Sequence, residues 1–205
     1  MSGLCHILVR TYVRLIPSYV YLLGLYLGDG VVNCSGRSFQ LRLSPDARYP
    51  EIVNGAAAAV RAVVPHGRVH ERTRGGALVL ESGWKEWPAL FPQHGRGKKH
   101  TRTIALAGWQ RGLVDEHPRE FLRGLIHSDG CRVVNRFAVD LPSGRRAEYE
   151  YPRYFFSNLS ADIRVLFCEY CELLGVRWTQ SNARNISVAH RRSVAVLDGF
   201  IGEKR

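Results

Sequence analysis

The stretch LLGLYLGDG at 22–30 returns one hundred residues later as LRGLIHSDG at 122–130. Both copies carry Leu, Gly and Leu at the first, third and fourth places and close on Asp-Gly, so Asp29 and Asp129 are equivalent. A chain that repeats a segment at this distance is built from two similar halves. Read as a helix, each copy sets small residues four apart, Gly24 with Gly28 and Gly124 with Ser128. Four apart is one helix face. Small residues there let two backbones approach closely, a steric rule best described for membrane helices but equally valid in water. Leu22, Leu25 and Tyr26, and Leu122, Leu125 and Ile126, point elsewhere and can cover a sheet. Gly30 and Gly130 suit a left-handed helix cap.

The Asp before each closing Gly is badly placed for stability. A carboxylate at a helix C-terminus faces the negative end of the dipole, at a cost of ~0.3–1 kcal/mol. Side-by-side helices would also bring Asp29 close to Asp129, adding like-charge repulsion. A divalent cation removes both penalties, and hard Mg²⁺ prefers carboxylate oxygen with water in its open positions. Two carboxylates and a metal beside a phosphate form a phosphodiester-cleaving arrangement. The contiguous His127, Ser128 and Asp129 cannot form a hydrolase triad at that spacing.

Both stretches resemble the LAGLIDADG motif of homing endonucleases, and the likeness covers roughly residues 19–201. The motif's eighth place, the family's metal-binding acid, is Asp29 and Asp129; the variable sixth place is Leu27 and His127. The resemblance implies a metal site at Asp29 and Asp129 with the adjoining Gly28 and Ser128. It implies Mg²⁺ as cofactor, with Mn²⁺ as a substitute. It also implies cleavage across the minor groove of a long specific duplex site, leaving short 3′ overhangs.

One repeat alone would read as a Leu-rich core helix. A membrane segment is excluded, since the apolar run at 15–28 is only 14 residues long and contains Pro17 and Ser18. A spanning helix needs about 20. Lys and Arg number 29 against 18 acids, giving a net charge of +11 and a pI near 9.9. That excess points to a polyanion, with double-stranded DNA the first choice. Five cysteines without framework spacing read as reduced thiols, and Cys168 with Cys171 as core positions one turn apart. Residues 1–18 read as a short arm without a secretory pattern, so the expected location is cytoplasmic, or the nucleoid in a bacterium.

The first repeat, 19–92, reads as helix, strands at 31–34 and 38–43, a helix over 49–64, strands at 67–72 and 77–81 around Gly75-Gly76, and a helix at 84–91. A basic connector spans 93–117. The second repeat, 118–205, gives strands at 131–134, 137–141 and 148–157, a helix over 160–174 capped by Ser160, strands at 176–180 and 185–189, and a helix over 192–201. WPALF at 87–91 and VLDGF at 196–200 occupy equivalent places. The expected fold is α+β, two pseudo-symmetric αββαββα repeats. The resemblance makes their curved antiparallel sheets a saddle over the major groove of DNA. Candidate readers are Arg37, Gln40, Arg42, Arg68, His70 and Arg72 in the first half, and Arg136, Arg153, Arg177, Gln180 and Arg184 in the second. Lys98 and Lys99 in the connector are expected to contact phosphate.

Family enzymes place polar and basic groups beside the acids, and Asn158 and Arg191 stand at those places in the second half. The first half offers Pro45 or Asp46, and Ser82 or Gly83, so the halves are unequal and preferential nicking becomes an option. The resulting expectation is a monomeric, free-standing, metal-dependent endonuclease. The alternatives are a catalytically silent DNA-binding regulator on the same fold, and an intron RNA maturase.

Overall fold

The computed structural model describes residues 15–64, 68–74, 77–140, 142–202 and 204. Helix α1 (Ile16–Asp29) takes Pro17 in its first turn, where the missing N–H costs nothing. Strands β1 (Val31–Ser35) and β2 (Ser38–Leu43), helix α2 (Pro50–Val63), strands β3 (His70–Arg74) and β4 (Ala77–Gly83) and helix α3 (Trp87–Leu90) complete the first half. A connector with a 3-10 turn (Lys99–Thr101) and helix α4 (Gly108–Glu116) leads to the second. There α5 (Pro118–Asp129) is followed by β5 (Gly130–Asp140), β6 (Arg146–Ser157), α6 (Ala161–Leu173), β7 (Thr179–Gln180), β8 (Asn185–Val188) and α7 (Arg191–Asp198). The two antiparallel sheets have the same strand order, β1-β2-β4-β3 and β5-β6-β8-β7. The α+β, two-repeat architecture holds.

The repeated helices α1 and α5 form the centre, and the expected close approach is present. A Cβ on Gly24 would lie 2.9 Å from the Cα of Gly124, and one on Gly124 would lie 2.9 Å from the Cα of Gly24. Both values are below any distance a real Cβ tolerates, so only glycine fits. Residues 19–27 of α1 are buried on every side, because α2, α5 and the first sheet surround them. The expected left-handed caps are absent: Gly30 and Gly130 have φ −87° and −105°. Room, not handedness, requires them, since a Cβ would stand 2.5 Å from Tyr26 Cα and 2.8 Å from Ile126 Cα.

Each sheet turns one face to the helices. Leu41, Leu43 and Leu80 are buried beneath it in the first half, and Tyr154, Phe156, Ile186 and Val188 in the second. Alternation leaves Gln40 and Arg42 on the open face of β2. The 131–134 and 137–141 strands are one continuous strand of 11 residues, paired throughout with β6. Pro152 lies inside β6, where among the described residues that strand pairs with β5 alone. The Gly75-Gly76 turn and residue 141 lie outside the described residues.

The connector is anchored rather than simply solvated. Buried Gln110 donates to Tyr19 Oη at 2.8 Å and to the Leu90 carbonyl at 3.1 Å, and buried Gln93 donates to the Ala105 carbonyl at 2.8 Å. Ile104 joins the core. Cys168 and Cys171 are buried free thiols of α6, as expected of core positions. Among the described residues no helix is long and apolar enough to cross a membrane.

Candidate active site and nucleic-acid face

Close packing of α1 and α5 delivers their C-terminal ends, and so Asp29 and Asp129, to one cleft of about 410 Å³. The cleft wall comes from the connector, which contributes His94, Lys98, Lys99, His100 and Arg102, and from Asn158 after β6. Asp29 is open to solvent on one side and crowded by protein on the other. Burial raises its pKa, Lys204 and Lys99 oppose the rise, and Asp46 adds to it. Asp129 is pushed up to about 6 by burial and then by the Asp29 charge, while Asn158 Nδ2 donates to it at 2.5 Å and holds it down. Two neighbouring carboxylates that both resist ionisation are what a divalent cation would relieve.

Two lysines occupy equivalent places at the helix ends. Lys99 Nζ donates to the carbonyls of Tyr26, Leu27 (3.0 Å) and Gly28 (3.1 Å). Lys204 Nζ donates to those of Ile126 (3.1 Å), Ser128 (3.1 Å) and Gly130 (3.0 Å). A cation suits these oxygens because the negative end of the helix dipole emerges there. Burial lowers Lys99 to about 7 and lowers Lys204, and in both the two Asp charges work against the shift. The carbonyls of Gly28 and Ser128 each keep one lone pair beyond the lysine bond. Two carboxylates and two carbonyls form a hard oxygen donor set that fits a cation completed by water. Among the described residues no group of three or more His, Cys, Asp or Glu gathers to hold a metal otherwise.

Several expectations need correction here. Lys99 does not project from the connector toward phosphate; its ammonium is tied to helix carbonyls, and Lys98 is the exposed neighbour. Arg191 begins α7, is exposed, and does not line the cleft. The basic groups acting on Asp129 are Lys99 and Lys204. Lys204 was missed because it follows Phe200 by four residues whereas Lys99 follows Phe91 by eight, which hides their equivalence. Arg102 was missed too. It lines the cleft, where its Nη1 donates to the Gln93 carbonyl at 2.5 Å and its buried Nε has no hydrogen-bond partner among the described residues.

Gln40, Arg42, His70 and Arg72 of the first half lie on the open face of its sheet. Arg42, His70 and Arg72 surround Glu81 on the open face, with Arg42 Nε 3.0 Å and Arg72 Nε 3.3 Å from its carboxylate and His70 paired opposite it. Gln40 Nε2 donates to Glu81 at 3.3 Å. Arg37 is exposed in the β1–β2 turn and Arg68 is exposed ahead of β3. In the second half only part of the set faces that way. Arg153 is on the open face, 5.4 Å over the Phe155 ring. Arg136 pairs opposite Glu150, in the row shared with buried Tyr154, so it faces the other side, where Glu150 takes its guanidinium at 3.0 Å. Gln180 pairs opposite buried Ile186 and likewise faces the helices. A residue one step off in register lies on the opposite face. Arg177 and Arg184 are exposed beside β7 and β8.

No family model matches the sequence, and no curated protein matches it. The architecture is similar to solved structures of LAGLIDADG homing endonucleases. Mesophilic variants of I-DmoI align with a TM-score of 0.58 at 11% identity, covering 92% of this chain and 97% of that one. I-DmoI in complex with DNA and Ca aligns with a TM-score of 0.58 at 13% identity, covering 91% and 90%. The LAGLIDADG meganuclease I-AabMI, bound to uncleaved DNA, aligns with a TM-score of 0.54 at 9% identity, covering 89% and 83%.

Proposed function

For a chain with the LAGLIDADG endonuclease fold, we propose site-specific hydrolysis of phosphodiesters in double-stranded DNA. The observation that supports it most is the shared cleft, where equivalent carboxylates Asp29 and Asp129 meet connector cations at the junction of two sheets. A polyanion is drawn to the cleft by the +11 charge of the chain. Lys98, His100 and Arg102 line its wall, and cationic side chains there suit phosphate oxygens. Asp29 and Asp129, with the Gly28 and Ser128 carbonyls, would hold a divalent cation, which when bound activates water and offsets charge on the phosphate. Asn158 fixes the orientation of the Asp129 carboxylate through its 2.5 Å bond. Lys99 and Lys204 hold the helix ends, and in their protonated forms they offset both acids.

Those lysines also support a second reading. They offset both carboxylates without any metal, as a silent DNA-binding regulator would need. Selection of duplexes from a randomised library, with Mg²⁺ and with EDTA, separates the two. Recovery of a cut site only with Mg²⁺ supports the nuclease; enrichment by binding with no cutting supports the regulator.

A further inference from the structure

The open face of the second sheet is unlike that of the first. Register places Val133 opposite Arg153, Asn135 opposite Tyr151, Phe137 opposite Tyr149 and Val139 opposite Ala147, all in the row away from the helix-facing Tyr154 and Phe156. This strip is apolar and solvent-facing: Phe137 is 42%, Tyr149 44% and Tyr151 39% exposed. Its rings are mutually ordered. Phe137 and Tyr149 stack with centroids 5.3 Å apart at 22°, and Tyr151 meets Phe137 edge-on at 5.2 Å and 69°. An ordered, exposed aromatic strip on a strongly basic chain marks an interaction surface.

We propose that this strip selects T·A pairs in one half of the bound duplex, by apolar contact with thymine 5-methyl groups in the major groove. The inference rests on the reading of the protein as a binder of duplex DNA. Continuity identifies the occupant. Strand β5 begins at Gly130, directly after Asp129, so the strip runs outward from the cleft along one strand. Arg153, at its inner end, sets its guanidinium over the Phe155 ring and adds positive charge beside the strip. Eleven strand residues extend about 35 Å, which matches roughly ten base pairs at ~3.4 Å each. Ring geometry narrows the chemistry. Phe137 and Tyr149 each cover one face of the other and Tyr151 abuts Phe137 edge-on, so the strip has less free ring face for stacking on an unpaired base. Ring edges and Val side chains do match the one apolar feature of the major groove, the thymine methyl.

The test uses the full chain in EDTA, where binding is read without cutting. Duplexes are selected from a random library, and in the recovered site thymine is replaced by deoxyuridine, which lacks only the methyl, in one half at a time. Each lost methyl contact weakens binding by about fourfold, so two or more in the affected half lower affinity about tenfold or more. The same replacement in the other half changes it less than twofold. The Phe137→Ala/Tyr149→Ala variant, checked for an unchanged melting temperature, then binds thymine and uracil duplexes equally. Equal tolerance of uracil in both halves of a bound site overturns the proposal and leaves duplex binding standing. A wild-type dimer that this double variant abolishes also overturns it, because the strip is then a protein interface. Failure to enrich any duplex removes the DNA reading and the proposal together.

Discussion

The two halves agree where backbones touch and diverge where a ligand would lie. Helices α1 and α5 carry glycine at the same point, end in the same Asp-Gly, and receive a lysine at two equivalent carbonyls, those of Tyr26 and Ile126 and of Gly28 and Ser128. The hairpins that leave them differ: β1 and β2 have 5 and 6 residues, β5 and β6 have 11 and 12. The short hairpin's sheet gathers Arg42, His70 and Arg72 around a buried Glu81, whereas the long hairpin presents Phe137, Tyr149 and Tyr151. The cleft is also uneven. Asn158 grips Asp129, whereas Asp46, near Asp29, is held by Arg48 at 2.7 Å and pulled down to about 2. Symmetry is enforced by packing that tolerates no change in volume, and is relaxed where side chains meet solvent or ligand.

The largest effect should therefore be symmetric. Gly24→Leu and Gly124→Leu each drive a side chain into the facing backbone, and overpacking that cannot relax costs several times the ~1–3 kcal/mol of ordinary cases. Both variants should lose the cooperative thermal transition seen by circular dichroism. A folded Gly24→Leu protein beside an unfolded Gly124→Leu one would break the equivalence of the two helices.

Next comes the chemistry. Asp29→Asn and Asp129→Asn should each lower double-strand cleavage by about 10²–10³-fold, the size typical of removing a principal electrostatic group, with duplex affinity retained. Asn158→Ala should slow one strand only, because Asp129 has this partner and, among the described residues, Asp29 has none like it. Nicked-product analysis on a supercoiled target reads this directly, and equal slowing of both strands would refute the asymmetry. A metal test needs no activity: Mg²⁺ should raise the melting temperature of the wild type and leave an Asp29→Asn/Asp129→Asn protein unchanged.

Much of this was legible in the sequence because packing and periodicity are local signals. The spacing of Gly24 and Gly124 gave the helix contact, and the alternation at 38–43 gave the face of Gln40 and Arg42. Three things were not legible. The role of Gly30 and Gly130 depends on the room left beside Tyr26 and Ile126, which no dihedral preference reveals. The orientation of Arg136 depends on β5 being continuous past residue 134, and a strand's faces follow from its register, not its composition. Lys204 and Lys99 reach their carbonyls from chain segments of unequal length, so long-range folding alone makes them equivalent.

A smaller effect follows from His127. Burial lowers it to about 4 from an ordinary 6.5, and it is held neutral between Tyr21 Oη at 2.8 Å and the Ile201 carbonyl at 2.7 Å. The unfolded chain takes up this proton near pH 6.5 and the folded chain only near 4, so stability falls as pH drops through that window. Asp129 works in the opposite sense. Its raised pKa of about 6 makes the charged form costly at neutral pH, and protonation on acidification relieves that cost. Asp129→Asn should therefore raise the melting temperature at pH 7.5 and steepen the loss between pH 6.5 and 4. A curve parallel to the wild type would show that Asp129 is not under strain. Leu27, at the matching motif place, carries no proton, so the first half has no counterpart to this slope.

The smallest effect separates the cleft side of the protein from its back. Lys98 is exposed at the cleft wall, and Arg136 is exposed on the far side of the second sheet with Glu150 as its partner. If DNA lies along the open faces, Lys98→Ala removes about one phosphate contact and flattens the slope of log affinity against log salt by about 0.9. Arg136→Ala removes a charge of the same sign from the far side and should leave the slope unchanged. Both variants alter net charge equally, so a general field effect would move the two slopes alike. Lys99 is unsuitable for this comparison, because truncating it removes a donor from three helix carbonyls and mixes a structural loss into the reading. A flatter slope for Arg136→Ala than for Lys98→Ala would reverse the face assignment and place the duplex on the side now given to the helices.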